Sequence, residues 1–321
     1  MKLLGASLVL LACTRLLAQQ ADSLPAGQWT VFHNERYGPA EKNTFDIVLP
    51  ASPAPSPLAI FIHGGGFVGG DKSEAFTGRV DDVLFFLNRR IAFASLNYRF
   101  LSSGDSVGVG KCLDDITTAL QFIRHNAARY HIDKRRVACY GSSAGAGSSL
   151  FLAFHDDMAV PGDTSLRGES TRLRCAGALS TQATFDILRW QEFIPGLRES
   201  VNAAKDHMLN AIANFYGYPD YPHFQAAGDT IPQRYDMLNM ISPDDPPVYI
   251  MNLQRDRDVK TLGLIEHHPA HAEVLDEYLK REHIPHTVYV RSDSIQSESA
   301  ISYPVRVFLA EHLEEQASSR R

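Results

Sequence analysis

From residue 29 to residue 291 short apolar runs alternate with stretches whose apolar residues recur every three to four positions. The runs predict eight strands: Trp29 to Asn34, Thr44 to Leu49, Leu58 to His63, Ile91 to Tyr98, Arg136 to Tyr140, Cys175 to Ser180, Val248 to Leu253 and Thr287 to Arg291. Several are almost unbroken in apolarity, as Leu58-Ala59-Ile60-Phe61-Ile62 is, which suits strands covered on both faces. Between them, Leu113, Ile116, Leu120 and Ile123 share one helix face, and Val274, Leu275, Tyr278 and Leu279 another. Such alternation predicts an α/β architecture, a largely parallel sheet with right-handed crossovers and its site at the carboxyl ends of the strands. Two stretches break the rhythm. Pro50 to Pro57 is a stiff extended link, too short to separate domains. Asp186 to Asp245 has helical pattern but no strand, and an insertion of that length predicts a helical cap over the strand ends.

Composition narrows the class. In 321 residues, 31 Lys+Arg against 37 Asp+Glu give a net charge of −6, which argues against a nucleic-acid partner. With 44% hydrophobic and 21% charged residues, the chain is suited to a sizeable core and not to disorder. Met1-Lys2 followed by the apolar Leu3 to Ala12 reads as an export signal, cleaved after Ala18, which leaves residues 19–321 as one domain with a cap at about 186–245. Cys13 offers a lipoprotein acceptor as the alternative. Either route predicts a secreted or periplasmic protein, with no later segment long and apolar enough to span a membrane. Cys112, Cys139 and Cys175 then remain, enough for at most one disulfide, and their apolar settings suit small core residues. No zinc-like spacing is present, so no metal is expected.

The chemistry concentrates in two motifs. Gly141-Ser142-Ser143-Ala144-Gly145 lies between a predicted strand and the helical run Ala146 to His155, the setting that gives G-x-S-x-G its meaning. The turn lifts the Ser143 hydroxyl above the sheet and aims a helix N-terminus at it; Ser142 is the off-register alternative. Earlier, His63-Gly64-Gly65-Gly66-Phe67 closes the strand Leu58 to Ile62 on the same sheet edge. Its glycines allow the N–H groups of Gly64 and Gly65 to converge with that of Ala144 on an oxyanion, while His63 holds the turn. A phosphate loop fits less well, because no Gly-Lys-Ser/Thr ending follows.

With Asn97-Tyr98-Arg99, Asp133 to Val137, and Ser242-Pro243 before Pro246-Pro247-Val248, these motifs resemble the α/β-hydrolase superfamily. The likeness is to its hormone-sensitive-lipase and carboxylesterase branch, secreted feruloyl and acetyl-xylan esterases included, and runs from about Phe45 to Leu313. It implies an eight-stranded sheet, a Ser-His-Asp triad, and cofactor-free hydrolysis of a small-molecule or saccharide-linked ester. By position the resemblance makes Asp256 the acid, with Asp258 as competitor.

The histidine departs from the pattern. The resemblance puts the base in Ser292 to Ser299, where no histidine stands. Three of the thirteen histidines instead crowd Glu266-His267-His268-Pro269-Ala270-His271, before a helix whose N-terminus lies at the edge that bears Ser143. A triad is defined by geometry and not by chain order, so this insertion can supply the base, with Asp256 or Glu266 orienting it. His268, beside the helix-starting proline, is the favoured candidate; His267 and His271 are the alternatives, and their spacing of four also suits a metal pair. A catalytically silent binding protein and an amide or formamide hydrolase are the competing functions.

Overall fold

The structure, a computed structural model, describes residues 24, 27–102, 106–158, 164–202, 206–228, 230–291 and 303–314. The export signal, Cys13 and the loop Ser292 to Ser299 lie outside the described residues. Eight strands form one sheet: β1 Trp29–Arg36, β2 Thr44–Pro50, β3 Ser56–Ile62, β4 Ala92–Leu96, β5 Ile132–Ser142, β6 Cys175–Leu179, β7 Val248–Asn252 and β8 His286–Val290. Their order is β1-β2-β4-β3-β5-β6-β7-β8. β2 is antiparallel to both β1 and β4, and every later pairing is parallel. This is an α/β-hydrolase sheet, as the sequence resemblance implied.

Each predicted strand has its counterpart, with two notable changes of boundary. β5 starts at Ile132, ahead of the predicted Arg136, because Ile132 pairs with Ser56 across an irregularity that the charged run Asp133 to Arg136 bridges. β4 stops at Leu96, because the Asn97 N–H turns to the Thr44 carbonyl and leaves the parallel ladder.

Alternate residues of the central strands feed two cores. Leu58, Ile60 and Ile62 pack on one face with the helices Val109–His125, Ala144–Phe154 and Ala270–Arg281. Ala59, Phe61 and Tyr140 pack on the other with the helices Val80–Asn88 and Val305–Glu314. Cys112, Cys139 and Cys175 are free and buried, and burial pushes the Cys139 thiol up to about 12. Both covered faces keep the sheet rigid, so its carboxyl edge is a fixed platform.

Between β6 and β7 the described chain is helical, in pieces of ten residues or fewer that include Asp206–Phe215 and Tyr221–Ala227. Tyr216, Tyr218 and Tyr221 gather around Phe224, with the Tyr216 and Phe224 rings stacked at 5.2 Å, and form a small core of this segment. Trp190 and Phe215 face the sheet edge instead and line the cavity above Ser143.

Candidate active site

Ser143 sits in the tight turn between β5 and the helix Ala144–Phe154, at φ 55° and ψ −121°. A non-glycine residue rarely adopts this conformation, at a strain of about 1–3 kcal/mol. The turn closes only because its flanks lack side chains. A Cβ on Gly145 would lie 2.0 Å from the Ile62 carbonyl oxygen, and one on Gly141 would lie 2.4 Å from the Gly145 carbonyl carbon. Ser142 ends the strand, and Ser143 alone is lifted onto the cavity wall.

The glycine loop after β3 approaches from the neighbouring strand. A Cβ on Gly64 would stand 3.3 Å from that of Ser143. Gly65, Gly66 and Phe67 all have positive φ, which turns the chain sharply around the serine. Among the described residues, the N–H groups of Gly64, Gly65 and Ala144 meet no backbone acceptor. Behind the loop, His63 is fully buried, with Nδ1 at 2.8 Å from the Gly64 carbonyl and its ring stacked on Tyr98 at 4.4 Å. The Tyr98 hydroxyl donates to the His63 carbonyl at 2.9 Å, which accounts for part of the Asn97-Tyr98-Arg99 motif. Arg99 completes that motif by pairing with the buried carboxylate of Asp115 at 2.7 Å.

The relocated histidines separate. His267 Nε2 lies 2.9 Å from Ser143 Oγ. His268, favoured from the sequence, is turned away and buried; its Nδ1 accepts from the Ala270 N–H at 3.1 Å and its Nε2 lies 3.2 Å from the Arg257 carbonyl. His271 is buried between Trp190 and Phe193, accepts from the Ala183 N–H at 3.1 Å and donates from Nε2 to the Ile265 carbonyl at 3.0 Å. Burial drives its pKa down to about 3, so it stays neutral. The metal pair of His267 and His271 is therefore not assembled, and no group of three or more metal-ligating side chains occurs among the described residues.

The local sequence explains the separation. Thr261 caps the short helix Leu262–Glu266, its hydroxyl accepting from the Leu264 N–H, and Pro269 opens the next helix. His267 is the residue left at the join. Successive residues on a helical path point about 100° apart, so the ring one position later turns inward.

Four consecutive carbonyls then fix this join. Leu264 accepts from Gln254 at 3.0 Å, Ile265 from His271 at 3.0 Å, Glu266 from Gln182 at 2.9 Å, and His267 from the buried Asn252 at 3.0 Å. Sequence reading does not find Gln182, Asn252 or Gln254 as supports; their one signal is polar amides at or just past the ends of apolar strands.

The acid expectation fares differently. Asp256 is exposed, its Oδ1 accepts from the Asp258 N–H at 2.9 Å, and Asp258 pairs with Lys260. Neither carboxylate is brought to His267. Burial holds the His267 pKa below the ordinary histidine value, and a hydrogen bond to the Gly263 carbonyl offsets part of that fall.

Ser143, Gly65 and His267 open on a cavity of about 820 Å³, walled chiefly by apolar side chains of the segment between β6 and β7. A family model, BD-FAE, matches residues 45–262, about two thirds of the chain. The chain belongs to the BD-FAE family.

The BD-FAE match thus takes in Gly64, Gly65, Ser143 and Asp256, and ends before His267. Among curated proteins, the chain is 36% identical over 107 residues to Cholinesterase 2 of Branchiostoma lanceolatum, covering 30% of this chain and 31% of that protein. It spans less than a third of the length of the first curated relatives it matches. Among solved structures, a truncated carbohydrate esterase from gut microbiota superposes with a TM-score of 0.62 at 15% identity, covering 91% of this chain and 99% of that one. Est2, an esterase of Thermogutta terrifontis, superposes with a TM-score of 0.59 at 16% identity, covering 90% and 91%. At such identities the likeness is one of fold.

Proposed function

We propose that this BD-FAE protein hydrolyses carboxylic esters through an acyl-enzyme on Ser143, with His267 as the base. The 2.9 Å approach of His267 Nε2 to Ser143 Oγ carries the reading. Ser143 attacks the ester carbonyl while its proton passes to His267. The N–H groups of Gly64, Gly65 and Ala144 receive the oxyanion, aided by the N-terminus of the helix Ala144–Phe154. His267 then protonates the leaving alcohol, and the acyl group stays on Ser143. Water, giving its proton to His267, adds to the acyl carbon; collapse releases the acid and returns the proton to Ser143.

Orientation of His267 comes from its clamped backbone, in place of Asp256. A base on this side of the sheet removes the reason for the silent binding-protein reading, which was the absence of a histidine from Ser292 to Ser299. The aliphatic cavity wall favours an apolar acyl or alkyl chain over a saccharide. Export rests on the N-terminal sequence; no helix among the described residues is long and apolar enough to cross a membrane.

The test is turnover of p-nitrophenyl acetate together with labelling by a fluorophosphonate. Wild-type protein is expected to do both and Ser143→Ala neither; an unlabelled, inert wild type would sink the proposal. The pH profile gives a second check. A general base works when neutral, and a lowered pKa keeps it neutral to lower pH. The acid limb of kcat/KM is therefore expected below 6.5, the ordinary histidine value. A limb at or above about pH 7 would point to a carboxylate partner that raises the histidine.

A further inference from the structure

One acidic group in the cavity has no part in acyl transfer. Glu266 lines the wall next to His267, yet among the described residues no hydrogen bond or ion pair reaches its carboxyl. Only its main-chain carbonyl is engaged, by Gln182. Burial alone raises its pKa, with no neighbouring charge of either sign contributing. No lysine or arginine lines the cavity among the described residues. The same cavity is lined by Ile187, Leu188, Trp190, Leu197 and Ile212, which cannot solvate a carboxylate, with Ser102, Gln191 and Asn214 as neutral polar members.

We infer that Glu266 makes this cavity selective for esters that carry a cationic group on an otherwise apolar chain. The inference rests on the esterase reading of Ser143. A partly buried carboxylate left without a cation is electrostatically incomplete, and a cationic substrate supplies the missing charge where the apolar wall lowers the local dielectric. The apolar chain meanwhile replaces water along the aliphatic wall. Glu266 is one residue from the base and lines the same cavity as Ser143, so a group bound to it is held within the same chamber as the reacting ester.

Two matched substrate pairs test this at pH 8, above the usual carboxylate range. One is p-nitrophenyl γ-trimethylammoniobutyrate and its uncharged isostere, in which tert-butyl replaces trimethylammonium. The other places the same two groups on the thiol side of a thiobutyrate. In at least one pair the cationic member is expected to have the higher kcat/KM by about tenfold, expressed in KM, with the ratio falling toward one in Glu266→Gln and in high salt. The wild-type ratio needs no variant, so a poorly folding Glu266→Gln does not rescue the idea. Ratios near one in both wild-type pairs, or a preference that Glu266→Gln leaves intact, overturn it. Turnover of no member of either pair would sink the esterase reading itself, and the selectivity with it.

Discussion

Replacing His267 by alanine is expected to lower kcat/KM for p-nitrophenyl acetate by about four orders of magnitude or more, the scale on which serine hydrolases lose their base. The Ser143 hydroxyl would then have no group at 2.9 Å to take its proton. Because nucleophile and base act as one unit, the double variant Ser143→Ala/His267→Ala is expected to be no worse than the poorer single variant. His268→Ala and His271→Ala serve as comparisons. Each removes a buried ring that holds two backbone groups. Their expected effect is destabilisation of about 1–3 kcal/mol, seen as a lower Tm, with a smaller fall in kcat as the clamp on His267 loosens. Equal losses of activity in all three would overturn the assignment of His267.

The second large effect concerns the turn that presents the serine. Gly145→Ala is expected to destabilise the protein by about 3 kcal/mol or more and to remove nearly all activity from what folds. The added methyl would meet the backbone carbonyl of Ile62 at 2.0 Å, and neither partner is a flexible side chain. Relief requires β3 and the helix Ala144–Phe154 to part, and β3 also carries the glycine loop into place. A displacement of this kind would move Ser143 away from His267 and from Gly64 at once. Equilibrium denaturation measures the stability, and active-site titration with a fluorophosphonate measures the fraction still competent. An alanine variant with wild-type Tm and full titration would show that the turn tolerates a side chain.

Glu266 shows where chain proximity misleads. Its sequence neighbour is His267, the proposed base, which makes it a natural candidate to orient that ring. In the fold Glu266 lines the cavity with no hydrogen bond from its carboxyl to His267, and the ring of His267 meets Ser143 instead. Asp256 misleads for a related reason: its spacing from Val259 fits a family pattern, but the loop carries it into solvent. The aromatic residues of the inserted segment serve two tasks that composition could not separate: Trp190 lines the cavity, Tyr216, Tyr218 and Tyr221 surround Phe224, and Phe215 does both.

By itself the sequence determined the eight strands, the order of serine turn and glycine loop, and the absence of a histidine from Ser292 to Ser299. Those features are written in local periodicity and in glycines whose roles follow from backbone sterics, and such information lies within a few residues of where it acts. Only the tertiary structure decided which histidine meets Ser143. Three histidines within five positions have the same local chemistry. They are sorted by the break between two helices and by side chains of Asn252 and Gln254 from the end of β7 and of Gln182 from beyond the end of β6. The hydrogen bonds that settle the matter reach across as many as 124 positions of chain. A contact made across that separation depends on the path of the whole sheet, which no local pattern specifies.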